Sequence, residues 1–564
     1  MTLLLLATLG NAWAVKQDSA QFPDLRIASR YAWPHRLGRG YWPLQVTVEN
    51  TSSTVQEFEI HVTPMYGWDE QGTWQAINLD PGQREDLEFM VPAWLDYPGN
   101  VTVTAERGNS ELGSLYNLGP DDGIGWDELA YIVVSDNEGN LTLEELWQNA
   151  LGITVYGGGV ICSHEDLPEE WSAYTSLDAV FIPAAEGLPP EPVLTPMLEW
   201  LRSGGKVVIV GEGATELATG HRGLSAWVES RFLDSQISPG PGQALPDWFS
   251  YAAGKGQLVI WDEATLESFT LNGLIPSLRD GELQQWSPGT PYYDGPQIHP
   301  LIPGIGSIPV VRFSLLMLLV AFALGPANYL FVRILRRPSL LLLTTPALAL
   351  GSTFFLVGYG ISSQGLGVKT ASWSYTMLDQ RSHRASTTEM RQLFAGRSPG
   401  KGLRPRDGTW HFAPERDWNF RYEMEQSDQG RLVSGDFLPV RVPIRIISLS
   451  ERPSRLRVTL DGSTVQNGLD ADIAQFLMMT EAGGLYTANA IEVGSSQVLV
   501  PMDRVSFDSA LYALWDSDWD TRYQSRQPIR EGTWLALLNS SPFIDSDGLE
   551  VEEIVGHHVV MGVM

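Results

Sequence analysis

The chain has 564 residues, 43% of them hydrophobic, and a formal charge of −30. The length exceeds one domain and the apolar fraction excludes wholesale disorder, so roughly three or four domains are expected. The acidic balance repels nucleic acid, and the single cysteine, Cys162, excludes an internal disulfide and any zinc site built on two cysteines.

The N-terminus, MTLLLLATLGNAWAVKQ, has a short apolar run followed by Ala12-Trp13-Ala14, a small-x-small cleavage pattern. The run is too short to span a bilayer, so residues 1–14 read as a signal peptide. Residues 22–118 then alternate apolar and polar side chains, as in YWPLQVTVENTS, EFEIHVTPMYG and GNVTVTAER, with a Pro-Gly turn in LDPGQREDLEFMVPAW. Short half-buried strands separated by turns predict an immunoglobulin-like β-sandwich.

From residue 129 the period changes. AYIVVS, GVICS, DAVFIPA, KVVIVG and GQLVIWD are continuous apolar strands. Between them LTLEELWQNAL, EEWSAYTSL, PVLTPMLEWLRSGG and LSAWVESRF have helical spacing. The alternation predicts, over 129–262, a doubly wound α/β domain of flavodoxin-like type, its parallel sheet covered on both faces. Ligands bind such sheets at the carboxyl ends of the strands. The candidates there are Asp136, Glu165, Glu186 and the Gly211-Glu212-Gly213 turn. Glu212 either caps the helix that follows or joins the other carboxylates in a metal or amine site.

YTSLDAVFIPA and LEWLRSGGKVVIVGEG give this stretch its resemblance to the class I glutamine amidotransferase-like fold. The resemblance implies a G-x-C-x-G turn with a cysteine nucleophile and a downstream His-x-Glu pair. Here the turn carries Glu212, Cys162 lies on another strand, and no His-x-Glu follows. The domain therefore reads as a non-catalytic relative, with no cofactor expected.

Residues 263–308 include the Pro/Gly-rich SPGTPYYDGPQIHPLIPGIG and read as a linker. Over 309–361 follow two uncharged apolar runs, Phe313–Val332 and Ser339–Gly360. Each is about 20 residues, enough at ~1.5 Å per residue to cross a ~30 Å hydrocarbon core. Arg333, Arg336 and Arg337 lie between them, and arginines in a short loop face the cytoplasm. The expectation is a transmembrane hairpin in the cytoplasmic membrane of a bacterium, with both large soluble regions outside.

Residues 370–564 again read as β-rich, one or two sandwiches. ADIAQFLMMTE fits helix or strand. His557 and His558 are neighbours and, in a strand, face opposite ways; an exposed pair is expected. Trp410 with Trp418, and Trp515 with Trp519, are core residues or sugar-stacking platforms. The whole arrangement resembles a group of bacterial envelope proteins. In architecture alone it is similar to auxiliary subunits of gliding-type ABC transport systems. It predicts a non-enzymatic scaffold, sensor or transporter accessory with the bilayer and envelope proteins as partners; the alternative is an extracytoplasmic hydrolase using the strand-end cleft.

Overall fold

The computed structural model describes residues 18–33, 40–64, 71–93, 100–108, 110–117, 130–136, 158–229, 248–262, 302–303, 305, 310–412, 422–427, 430–514, 529, 531–544 and 547–563. The expected signal peptide, most of the linker, the LTLEELWQNAL helix, and Trp418, Trp515 and Trp519 lie outside them.

The N-terminal region is two facing sheets. One has the antiparallel order Asp18–Phe22, Leu25–Tyr31, Gly40–Asn50, Arg84–Ala93. The other contains Gln71–Leu79, Gln56–Pro64, Val101–Arg107 and Ser110–Asn117. Alternation decides which side chains enter the core: Phe58, Ile60 and Val62 on one strand, Val101, Val103 and Ala105 on its neighbour. The second sheet is completed by a hairpin from far along the chain. Tyr422–Ser427 runs parallel to Gln71–Leu79, and Gly430–Gly435 forms the edge. Residues 370–564 are therefore not the self-contained unit expected; part of them completes the N-terminal sheet.

Within 129–262 the sheet has five parallel strands in the order Gly158–Cys162, Ala130–Val134, Ala179–Pro183, Lys206–Val210, Gly256–Trp261, with Trp248–Ala253 antiparallel at the edge. The helix Glu191–Arg202 starts at prolines and stops at Gly204, whose φ is +125°. EEWSAYTSL differs from expectation: Trp171–Ser176 is a buried 3₁₀ segment. Thr175 Oγ1 donates to the Ser172 carbonyl at 2.6 Å and Ser176 Oγ to that of Ala173 at 3.3 Å. Such local side-chain bonds compete with a regular α-helix.

Helix Val310–Phe322 passes through a π-turn at Ala323–Ala327, around Pro326, into Asn328–Ile334. Leu341–Gln364 returns antiparallel to it. Leu318, Phe322, Phe331, Leu342, Leu343 and Phe354 are exposed on this hairpin. Buried Asn328 donates to Thr345 Oγ1 at 3.1 Å and ties the two helices.

The rest forms a nine-stranded sheet whose centre is the hairpin Val368–Asp379 and Arg384–Ala395, with Val551–Val563 parallel to the former. ADIAQFLMMTE is a strand, Ile473–Met479. A three-stranded sheet, Arg457–Asp461, Thr464–Gly468 and Ser496–Val498, accompanies it.

This last part repeats the first. In the N-terminal region buried Asn50 donates to the carbonyls of Thr54 and Leu79, each at 2.9 Å, and receives the Ser52 N–H; its own carbonyl takes the Gly82 N–H. Buried Asn467 donates to Ala471 at 2.8 Å and Ile491 at 3.0 Å, receives the Leu469 N–H, and takes the Gly494 N–H. The flanking strands pair alike. Gly40–Asn50 lies between Leu25–Tyr31 and Arg84–Ala93, as Thr464–Gly468 lies between Arg457–Asp461 and Ser496–Val498. Gln56–Pro64 lies between Gln71–Leu79 and Val101–Arg107, as Ile473–Met479 lies between Leu485–Ile491 and Thr533–Leu538. A buried asparagine thus turns the chain from one sheet to the other twice.

Candidate functional site

Two of the strand-end candidates are engaged in hydrogen-bonded pairs. Asp136 follows Ala130–Val134 and accepts the His164 backbone N–H and ring Nδ1, both at 2.9 Å. The backbone bond, then the ring, holds the Asp136 carboxyl below its usual range. Beside it, buried Ser135 donates to Glu186 at 2.8 Å. Glu165 and Glu212 are exposed, and among the described residues no hydrogen bond or ion pair joins them to this group. Gly211, with φ +112°, and Gly213, with φ +86°, shape the turn between Lys206–Val210 and Ala214–Gly220. Glu212 does not cap that helix. Asp262, at the end of the neighbouring strand, does so by accepting the Thr215 N–H at 3.0 Å and its hydroxyl.

The dyad of Asp136 and His164 has the polarity of a general base and its orienting carboxylate. Its Nε2, however, is shielded from solvent. The neighbouring hydroxyls serve carboxylates instead: Ser135 serves Glu186, and Ser163 donates to Asp166 at 2.8 Å. Cys162 is 3% exposed, and burial, reinforced by Asp166, pushes its thiol far above the usual range. A thiol held protonated is no nucleophile.

Three polar clusters escaped sequence reasoning. The first joins Ser374, His558 and Glu553. His558 lies 2.9 Å from Ser374 Oγ and 3.1 Å from Glu553, which also accepts from Ser372. The connectivity is that of a nucleophilic triad, but Ser374 is 2% and His558 1% exposed, so no substrate reaches the hydroxyl. The expected exposed histidine pair is thereby corrected: the pleat turns His558 inward, while His557 bonds the Leu514 carbonyl at 2.8 Å. A Cβ on Gly556 would sit 2.6 Å from His558 Nε2, so a larger residue there would displace the ring or Glu553.

The second cluster is Glu389, Arg391 and Asp547, lining a pocket with Thr409, Ser448 and Arg452. Arg391 pairs with Asp547, and its Nε lies 3.4 Å from Glu389. Burial outweighs that attraction and pushes the Glu389 carboxyl up to about 8.

The third sits where the regions meet. Trp410 donates to Glu170 at 3.0 Å, packs 4.4 Å from Tyr41, and lies under Arg431. At 2% exposure Trp410 is a junction residue, not a sugar platform. Nearby Glu88 is pushed up to about 7, by burial first and then by Glu170 and Glu169. Asp136 was legible as a strand-end carboxylate, but its partner His164 was not; the three clusters depend on contacts across more than a hundred residues.

No family model matches the chain, and no curated protein matches it. Among solved structures, similar ones include a β-glucosidase from Listeria innocua in complex with gluconolactone, 10% identical, TM-score 0.13, covering 20% of this chain and 17% of that one. Others are a GH3 β-glucosidase of Bifidobacterium adolescentis, 12% identical, TM-score 0.12, covering 19% and 17%, and a calcium-binding mutant of Bacteroides uniformis β-glucuronidase 2, 11% identical, TM-score 0.13, covering 34% and 23%. The chain spans less than a quarter of the length of each.

Proposed function

We propose that the chain is an integral protein of a bacterial cytoplasmic membrane, whose soluble regions lie together outside and act as a non-enzymatic scaffold, sensor or transporter accessory. One observation carries this reading. The chain enters an exposed apolar helical hairpin at Val310, leaves it at Gln364, and resumes pairing with what preceded it. Tyr422–Ser427 adds to the strand Gln71–Leu79, and Arg384 joins Glu199 and Glu451 across the same boundary. Regions that share a sheet share a side of the membrane, so the hairpin crosses twice. An apolar surface of this extent requires lipid or partner helices. Arg333, Arg336 and Arg337 favour a cytoplasmic turn, and hence soluble regions outside.

The parallel order, with the second strand at the edge and the first beside it, is that of flavodoxin-like sheets and supports the amidotransferase-like assignment. Shielded His164, protonated Cys162 and the lone Glu212 favour a scaffold over a hydrolase. The test uses the buried native cysteine, which leaves the surface free of thiols among the described residues. Ser53→Cys and Ser463→Cys are expected to react with a membrane-impermeant maleimide on intact spheroplasts, and Arg337→Cys only after permeabilisation. Protection of Ser463→Cys alone would sink the two-crossing reading.

A further inference from the structure

The outer face of the sheet that contains Gln56–Pro64 and Val101–Arg107 gathers three carboxylates and a histidine. With Phe58, Ile60 and Val62 inward, Glu59 and His61 point outward. Register sets Glu59 directly opposite Glu106, and Glu106 opposite Glu111 on the next strand, where the pairing shifts by a bulge. Like charges directly opposite one another destabilise a sheet. On the other flank Glu59 faces Ala76, not a basic residue.

The ligating atoms of Glu59, His61 and Glu106 all lie within 4.8 Å of one another, with His61 Nε2 3.6 Å from the Glu59 carboxylate. That nitrogen is shielded from solvent and makes no hydrogen bond. The ring is held by stacking on Trp74, centroids 5.8 Å apart and planes at 16°. An oriented imidazole nitrogen with no hydrogen bond, beside two carboxylates that face each other, is explained by a cation that all three would bind. The imidazole selects against magnesium and calcium, which take oxygen ligands.

We propose that Glu59, His61 and Glu106 bind a divalent first-row transition-metal ion on the outer face of the N-terminal sandwich. Three protein ligands leave coordination positions for water or for a group from a partner. Glu111, next in the row and bonded by Ser114 at 2.7 Å, adds negative potential at the rim.

The test is calorimetric titration of zinc into the full-length, tag-free, metal-stripped protein in detergent. One zinc per chain is expected, undisplaced by excess magnesium, with a rise in melting temperature. His61→Ala should abolish both. Glu59→Gln and Glu106→Gln keep size and outward position, and each should weaken binding by about tenfold or more, with circular dichroism unchanged. Absence of stoichiometric binding, or wild-type affinity in His61→Ala or Glu106→Gln, would overturn the site.

Discussion

Glu88 shows what burial does to one carboxyl. It lies on Arg84–Ala93 against the 3₁₀ segment, with Glu170 and Glu169 adding repulsion, and its proton is held to about 7 against an ordinary 4.5. The folded state therefore binds the proton more tightly than the unfolded chain. The stabilisation is fully present below pH 4.5 and is lost as pH rises through about 7. Glu88→Gln should remove this dependence and raise stability at pH 8 by up to about 3 kcal/mol. Melting curves at pH 5 and pH 8 check it: the wild type should lose more than the variant, and parallel losses would refute the assignment. Glu389 acts with the same sign at higher pH.

At the scale of elements, the asparagine corners hold the two sandwiches. Each buried amide satisfies two main-chain carbonyls; both are buried at Asn467, whereas at Asn50 the Leu79 carbonyl is buried and that of Thr54 is part-exposed. Asn467→Ala should leave both unpaired and cost about 2–3 kcal/mol, read as a lower denaturation midpoint. Asn50→Ala should cost less, because the Thr54 carbonyl is part-exposed and also receives the Ser52 hydroxyl at 2.8 Å. The repeat was hidden from the sequence because VENTSST and QNGLDAD share only the asparagine and a pattern of turn formers. A buried polar corner constrains one residue and leaves its neighbours free.

For the whole molecule, the interface between the regions on either side of the apolar helical hairpin matters most. Lys255, 4% exposed, donates to the Tyr375 carbonyl at 3.2 Å and to Thr388 Oγ1 at 2.6 Å. Its ammonium also lies 5.1 Å from the Tyr375 ring centre. Arg202 and Arg384 converge on buried Glu451 nearby. These groups fasten the α/β region to the nine-stranded sheet. Lys255→Met keeps the stem and removes the bonds, and should cost about 1.5–3 kcal/mol. Hydrogen exchange at residues 254–258 and 375–388 should quicken while the two apolar helices stay unchanged; uniform protection would show that the contact is dispensable.

Local periodicity in the chain was enough to read several elements. Alternation marked the strands around Phe58 and Val103, continuous apolar runs marked the parallel sheet, and uncharged length marked the two helices. It placed Asp136 and Glu186 at strand ends, since a strand's end is a local property. Which of these residues meet depends on long-range pairing. His164 turned to Asp136, Asp262 took the capping role expected of Glu212, and His558 went inward, because pairing register and bulges are set by distant strands. The same reason gave the 422–435 hairpin to the N-terminal sheet. Strand edges are satisfied by whichever backbone reaches them, and no local pattern names that partner.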